Sequence, residues 1–205
     1  MTEQQLHFWD KVAERYAARP LKDPQAFEDM LVEVGGWLHP GDKVLEIGCG
    51  TGSTAVRLGG TVGAWLATDL SPEMVRIAQA KAAPEGVRFV QAAADVPHAA
   101  GPFDAICAFH ILHLVPDAPA TLAVLRDQLV PGGLLISKTW CLRDFNPLMR
   151  LLFPILRKRG LMPPLNLLRH KELRAMIETA GFTIEGERHF GKHRHSRFIV
   201  ARKAG

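Results

Sequence analysis

The sequence is poor in cysteine and has no closely spaced cysteine motif. Its three cysteines, Cys49, Cys107 and Cys141, are odd in number and far apart along 205 residues. None belongs to the Cys-x-x-Cys spacing that is typical of metal or redox sites. We therefore expect reduced packing thiols, with no disulfide framework and no bound metal.

A secretory signal and a strong excess of charge are also missing. The first five residues, Met1 to Gln5, are polar and acidic rather than basic and then apolar, so a cytoplasmic protein is expected. A net charge of +4 is mild and gives no indication of nucleic-acid binding. With 47% hydrophobic and 22% charged residues, the chain is typical of one soluble α/β domain with a single core.

The hydrophobic pattern predicts strands that alternate with helices after two N-terminal helices. Helices are expected at 4–18, 24–38, 53–58, from 72 onward, 117–129 and 171–180, and strands at 43–47, 62–69, 87–91, 103–109, 134–140, 182–187 and 197–201. Such alternation indicates an α/β fold with a doubly wound, seven-stranded, mostly parallel sheet, which the last two strands complete as a hairpin.

A glycine-rich loop follows the first predicted strand, with glycines at 48, 50 and 52. Glycine permits a positive φ and lets a ligand approach main-chain N–H groups closely. A dinucleotide-binding Gly-x-Gly-x-x-Gly loop would need its third glycine at position 53, which is Ser53. The spacing therefore disfavours a nicotinamide dinucleotide and leaves S-adenosylmethionine as the other candidate ligand.

Five motifs, in this order, resemble the class I S-adenosylmethionine-dependent methyltransferases, in particular the small-molecule branch typified by quinone-biosynthesis enzymes. They are Val-Leu-Glu-Ile-Gly-Cys-Gly-Thr-Gly at 44–52, Thr-Asp-Leu-Ser-Pro-Glu-Met-Val at 68–75, Ala-Asp at 94–95, Phe-Asp-Ala-Ile at 103–106 followed by Leu-His at 112–113, and Pro-Gly-Gly at 131–133. The resemblance covers nearly the whole chain. It implies a Rossmann-like methyltransferase that uses S-adenosyl-L-methionine and releases S-adenosyl-L-homocysteine.

The resemblance also implies which residues hold the donor. Glu46 and the loop residues Gly48, Cys49, Gly50 and Gly52 are placed at the methionine end. The other implied contacts are Asp69 at both ribose hydroxyls, Leu70 and Met74 beside the adenine, Asp95 at the adenine amino group with Ala94 next to it, Phe109 near the transferred methyl group, and Tyr16 of the first helix at the methionine end.

The segment after the fourth predicted strand is expected to face the methyl group, because ligands lie at the carboxyl edge of an open parallel sheet. Methyl transfer is an in-line displacement that depends on alignment and on exclusion of water. His110 and His113 are the candidate catalytic bases for a hydroxyl acceptor. For His113, a local hydrogen-bonding role at the strand end is the alternative.

Residues 141–169 interrupt the alternation with many leucines, several arginines and prolines at 147, 154, 163 and 164. We interpret this segment as a substrate lid over an apolar pocket. A dimer surface and a basic patch in weak contact with a membrane are the alternatives. The apolar stretch 148–156 is far too short to span a bilayer.

Taken together, the sequence predicts one domain over 1–205, made of cap helices (1–40), a cofactor-binding core (43–140), the lid (141–169) and a C-terminal helix and strand pair (170–205). The predicted activity is methylation of a small apolar or aromatic acceptor by a monomer or homodimer. The alternatives are a non-catalytic binder of the donor or product, and a methyltransferase for a lipid or macromolecule. Histidines 189, 193 and 195 are interpreted as part of a basic turn rather than as metal ligands.

Overall fold

A seven-stranded sheet organises the part of the chain described by a computed structural model of the protein, which covers residues 2–145, 156, 162–192 and 194–204. The strand order is β3-β2-β1-β4-β5-β7-β6, and β7 runs antiparallel to both of its neighbours. The helices are α1 (Glu3–Ala17), α2 (Pro24–Trp37), α3 (Ser53–Leu58), α4 (Pro72–Gln79), α5 (Ala118–Asp127) and α6 (His170–Thr179). The strands are β1 (Lys43–Ile47), β2 (Ala64–Asp69), β3 (Val87–Gln91), β4 (Phe103–Phe109), β5 (Leu129–Trp140), β6 (Phe182–Arg188) and β7 (Ser196–Lys203). The predicted fold class is confirmed.

Local sequence signals explain where several helices begin. Asp23, Ser71 and Asp117 each accept a hydrogen bond from the backbone N–H three residues later, and a proline follows within the first two helical positions. These caps satisfy N–H groups that would otherwise have no partner at a helix start. Gly181, with φ +92°, follows the C-cap of α6, where glycine tolerates the left-handed conformation that ends a helix.

The Pro-Gly-Gly motif lies inside β5 rather than before it, which corrects the expected strand start at 134. Phe103 of β4 pairs with Leu129, but Ala105 already pairs with Leu134, so β5 carries three extra residues at this point. Gly132 adopts φ +75° within this irregularity. The motif therefore forms a bulge within β5 and is not a turn that precedes the strand.

Two apolar layers cover the sheet. One contains Leu45, Ile106 and Leu122 and packs under α5 and α6, whereas the other contains Val44, Trp65 and Met30 and packs under α2 and α3. No helix within the described residues is long and apolar enough to cross a membrane. The two layers leave the carboxyl ends of β1, β2 and β4 open to a cleft beneath α1.

Candidate active site

The cleft at the carboxyl ends of β1, β2 and β4 contains about 600 Å³ of empty space, counting its open mouth. Nine of the residues predicted from the sequence line it: Tyr16, Gly48, Gly50, Asp69, Leu70, Met74, Ala94, Phe109 and His110. Trp9, Ala92, Ile111 and Leu114 complete the lining. Residues from five parts of the chain thus meet where the topology of a parallel sheet predicts a ligand.

The glycine loop is shaped by tertiary contacts as well as by backbone freedom. Gly50 adopts φ +54°, and a side chain added there would meet nothing closer than a Tyr16 ring carbon at 3.9 Å. Gly52 instead packs so closely that an added Cβ would lie 2.5 Å from the Phe89 ring. Gly50 therefore leaves space on the cleft side, whereas Gly52 is required for packing beneath the loop.

Asp69 at the end of β2 fixes this loop. One carboxylate oxygen accepts a hydrogen bond from the Gly50 N–H at 2.8 Å, and the other accepts from the Ser71 N–H at 2.9 Å. Burial raises the pKa of Asp69, while these two N–H groups act in the opposite direction. The Leu70 N–H also donates to this carboxylate. Because the two oxygens together offer about four lone pairs, the carboxylate keeps capacity to accept from a ligand.

Glu46, predicted at the methionine end, has its carboxyl group between Trp65 of β2 and the start of α3. Its side chain is 2% exposed and accepts a hydrogen bond from the Trp65 indole N–H at 3.1 Å. Thr54 and the Ala55 N–H also donate to it, yet burial prevails and raises its pKa to about 8. Glu46 is absent from the described lining of the cleft, so its carboxyl group supports the loop from inside the core.

Four other predicted residues also lie outside the described lining of the cleft: Cys49, Gly52, Asp95 and His113. Cys49 is a buried free thiol whose pKa is raised by burial, with Glu46 and Asp69 adding to the effect. Asp95 directly follows Ala94, which does line the cleft.

Of the two histidines after β4, His113 is buried and His110 is partly buried, and both rings are neutral at pH 7. Burial, together with Lys138 and His113, lowers the pKa of His110 to about 3, and burial lowers that of His113 to about 4. The Nδ1 atoms of both rings lack a hydrogen-bond partner within the described residues. His110 adopts φ +57°, which is uncommon for a residue other than glycine. Such strain is typical of functional positions.

A row of aromatic rings continues from the cleft. The His110 ring stacks on Trp140 at 5.6 Å, Trp140 lies 6.1 Å from Phe145, and Phe145 lies 4.5 Å from His195. These rings come from the ends of β4 and β5, the segment after β5 and the residue before β7. We call these four side chains the aromatic row. No sequence motif predicts it, because it depends on contacts between distant segments.

Helix α1 covers the cleft, and Tyr16 is the one residue of this helix that was predicted to contact the donor. Trp9 and Tyr16 line the cleft, and their rings meet edge to face at 6.2 Å. Asp10 accepts hydrogen bonds from the Ser71 hydroxyl and from the Glu73 N–H at the start of α4. The helix is therefore anchored beside the turn that carries Asp69.

The remaining predictions concern the lid and metal ligands. Residues 146–155 and 157–161, the greater part of the predicted lid, lie outside the described residues, as does His193. Among the residues that are described, no group of three or more His, Cys, Asp or Glu side chains is arranged to hold a metal ion.

The chemistry of the lining fits S-adenosylmethionine better than a phosphate-bearing nucleotide. Among the described residues that line the cleft there is one acid, Asp69, and no lysine or arginine. A sulfonium and an ammonium group are favoured by a carboxylate and by aromatic faces such as Trp9 and Phe109. The space beside Gly50 provides the close approach to the main chain that the methionine end requires.

Comparison with known proteins gives an independent line of evidence. A sequence model described as a methyltransferase domain matches residues 5–187. The chain is 35% identical over 141 residues to a ubiquinone biosynthesis O-methyltransferase of Xanthomonas axonopodis pv. citri, a match covering 64% of this chain and 55% of the relative. It is 37% identical over 116 residues to the ribosomal protein L11 methyltransferase of Thermus thermophilus, covering 55% and 44%. The chain thus spans about half the length of these curated relatives.

Among solved structures, the magnesium protoporphyrin IX methyltransferase of Synechocystis PCC 6803 with bound S-adenosylhomocysteine superposes with a TM-score of 0.71. The match covers 98% of this chain and 95% of that one at 20% identity. At this identity the likeness concerns the fold.

Proposed function

Because this chain belongs to the class I S-adenosylmethionine-dependent methyltransferase domains, we propose that it transfers a methyl group from S-adenosylmethionine to a small apolar or aromatic molecule. The observation that carries the proposal is the meeting of Gly50, Asp69 and His110 in one cleft without a lysine or arginine in its described lining. The donor, when bound, supplies an electrophilic methyl group on a sulfonium.

In this proposal, residues of the glycine loop and of the strand ends hold the donor. Asp69 accepts the ribose hydroxyls with the lone pairs that Gly50 and Ser71 leave free, and the loop at Gly48 and Gly50 receives the methionine end. Leu70, Met74 and Ala94 pack on the adenine, and Asp95 accepts from its amino group. Glu46 acts indirectly, through Trp65 and the base of α3, and Cys49 and Gly52 shape the loop from behind.

His110 and His113 contribute mainly by being neutral. Since their pKa values of about 3 and about 4 keep both rings uncharged at neutral pH, neither ring repels a sulfonium. A base with so low a pKa is a weak proton acceptor, so we assign most of the catalysis to alignment and to exclusion of water. His110 contacts the acceptor in this arrangement, because it lines the cleft.

The aromatic row favours a planar acceptor over an aliphatic one. It begins at His110, which lines the cleft, and continues through Trp140 and Phe145 to His195, which lie outside the described lining. Rings of this kind bind flat conjugated molecules by offset stacking. The names of two similar proteins, a ubiquinone biosynthesis O-methyltransferase and a magnesium protoporphyrin IX methyltransferase, support an acceptor of this class.

The experiment that tests this function has a binding arm and a transfer arm. Calorimetry with S-adenosylhomocysteine should show saturable binding, and NAD should show none. Incubation with methyl-labelled donor and a panel of phenols, hydroquinones, amines and fatty acids should label a phenolic or quinol ring. Donor binding without transfer to any panel member would favour the non-catalytic binder, and transfer to a protein or lipid alone would overturn the acceptor class.

We also place the protein in a reducing compartment such as the cytoplasm. Its three cysteines are buried free thiols, which fits that location. Size-exclusion chromatography with light scattering distinguishes the proposed monomer from the proposed homodimer.

A further inference from the structure

Gln5 of α1 is a buried polar side chain that the donor site does not use. It is 2% exposed, and its amide is fully engaged. The Oε1 atom accepts from the Thr2 N–H at 3.0 Å, and Nε2 donates to the carbonyl oxygen of Leu114 and, at 3.2 Å, to that of Pro164. Because leaving a buried carbonyl without its donor is costly, these contacts fasten α1 to two other segments.

Asn166 makes matching contacts from the segment before α6. Its backbone N–H donates to the carbonyl oxygen of His113 at 2.7 Å, and its side-chain amide donates to that of Val115 at 2.6 Å. Three consecutive carbonyl groups, 113 to 115, are therefore held by Gln5 and Asn166. We call Gln5 and Asn166 the amide clamp.

The clamped loop belongs to the acceptor side of the cleft. Ile111 and Leu114 line the cleft directly after His110. The loop is a single helical turn in which the N–H groups of residues 114 and 115 both donate to the Ile111 carbonyl oxygen. Because a hydrogen-bonded turn of this kind moves as a unit, a displacement of its carbonyl groups also displaces the side chains that line the cleft.

Helix α1 links this loop to the donor side. Trp9 and Tyr16 lie four and eleven residues after Gln5, on the same helical face, and both line the cleft. Asp10 holds the same helix to Ser71 beside Asp69. Donor-side and acceptor-side anchors are thus two turns or less apart on one short helix.

We propose that the amide clamp couples closure of α1 over the donor to the position of the acceptor-facing loop, with Gln5 as a positioning residue. When the donor side is filled and α1 is held down, Gln5 fixes the 111–115 turn, and Asn166 fixes the segment before α6 to the same turn. Bound donor therefore fixes the position of the 111–115 turn before the acceptor binds. This inference relies on the proposed function only for what each side binds.

The test uses Gln5→Met, which keeps the length of the side chain but cannot hydrogen-bond to Leu114. Gln25→Met is the matched control, because Gln25 is an exposed glutamine on α2 whose side-chain amide donates to Asp29. Stopped-flow release of S-adenosylhomocysteine should become about tenfold faster in the Gln5 variant, the size expected for a buried carbonyl that loses its donor. The control should release the product at the wild-type rate.

Amide hydrogen exchange separates coupling from a general loss of stability. In the wild type, S-adenosylhomocysteine should protect residues 111–115 as well as the loop at 48–52. In Gln5→Met, protection should remain at 48–52 and be lost at 111–115, and Asn166→Ala should lose it in the same way although Asn166 does not line the cleft. Protection of 111–115 that persists in both variants would overturn the proposal.

A ligand-free measurement makes this outcome independent of the proposed function. Even without any donor, Gln5→Met should accelerate exchange of the Asn166 amide, whose acceptor is the neighbouring His113 carbonyl. If the wild type binds no S-adenosylhomocysteine, the proposed function fails while this arm still tests the clamp. An Asn166 amide that exchanges at the wild-type rate in Gln5→Met would refute the clamp.

Discussion

Replacement of Glu46 by glutamine should remove a specific pH dependence from the stability of the fold. The carboxyl group has a folded-state pKa raised from 4.5 to about 8 by burial. Between these values the native state keeps a proton that the unfolded chain has released. By linkage, the stability contribution is complete below pH 4.5 and is lost as the pH rises towards 8.

The magnitude follows from the width of that interval. One group loses about 1.4 kcal/mol of unfolding free energy per pH unit, so the full interval corresponds to on the order of 5 kcal/mol. Between pH 5 and pH 7 alone, the wild type should lose about 3 kcal/mol that Glu46→Gln does not lose. Other titrating groups cancel, because both proteins carry them.

Urea unfolding at pH 5, 6, 7 and 8 measures this difference, provided that both proteins unfold in two states. Wild type and variant should diverge steadily with pH, with the variant gaining relative stability. Calorimetry with S-adenosylhomocysteine should meanwhile show similar affinity at pH 6, since the Glu46 side chain lies against Trp65 outside the described cleft lining. If the unfolding free energies of both proteins changed in parallel with pH, Glu46 would not be protonated in the native state. A large loss of S-adenosylhomocysteine affinity in the variant would indicate that Glu46 contacts the donor directly.

Three further predictions concern the cleft. Gly50→Ala and Gly132→Ala both place alanine at a positive φ, so each should cost about 1–2 kcal/mol of stability, but only Gly50→Ala should weaken S-adenosylhomocysteine binding in calorimetry. NMR titration should show the ring protons of His110 and His113 unchanged between pH 5.5 and 8, and a midpoint near 6.5 would contradict their burial. Trp140→Leu should raise the KM for an aromatic acceptor about fivefold without changing product affinity, and an unchanged KM would remove the aromatic row from the acceptor site.

The elements that the sequence predicted well are those with a local cause. β1, β3 and β4 match their predicted limits, because each is a short run of strand-forming residues bounded by turn residues, and α2 and α4 begin at their predicted first residues, 24 and 72. The start of β5 was wrong for a physical reason. Pro131 and the two following glycines are typical of turns, but β4 supplies a neighbouring strand that continues across them as a bulge.

Within the site, the loop and Asp69 were recognisable because their spacing is a property of the chain itself. The direction of the Glu46 side chain was not, since it depends on Trp65 nineteen residues away. Gln5 carries a local signal only for its capping box with Thr2, and no local signal predicts its contact with Leu114 or the contact of Asn166 with Val115. An amide becomes a clamp only when folding brings the carbonyl groups of another segment to it.

The central claim is that Asp69 holds the ribose of the methyl donor, and a thermodynamic cycle between protein and ligand tests it most directly. Calorimetry compares S-adenosylhomocysteine with its 2′-deoxy and 3′-deoxy analogues on the wild type and on Asp69→Ala. Loss of a hydroxyl should weaken binding to the wild type by about 10-fold to 100-fold, as expected for a hydrogen bond to a charged group. In Asp69→Ala the same deletion should cost almost nothing further. An equal loss in both proteins would show that Asp69 does not contact the ribose and would contradict the account.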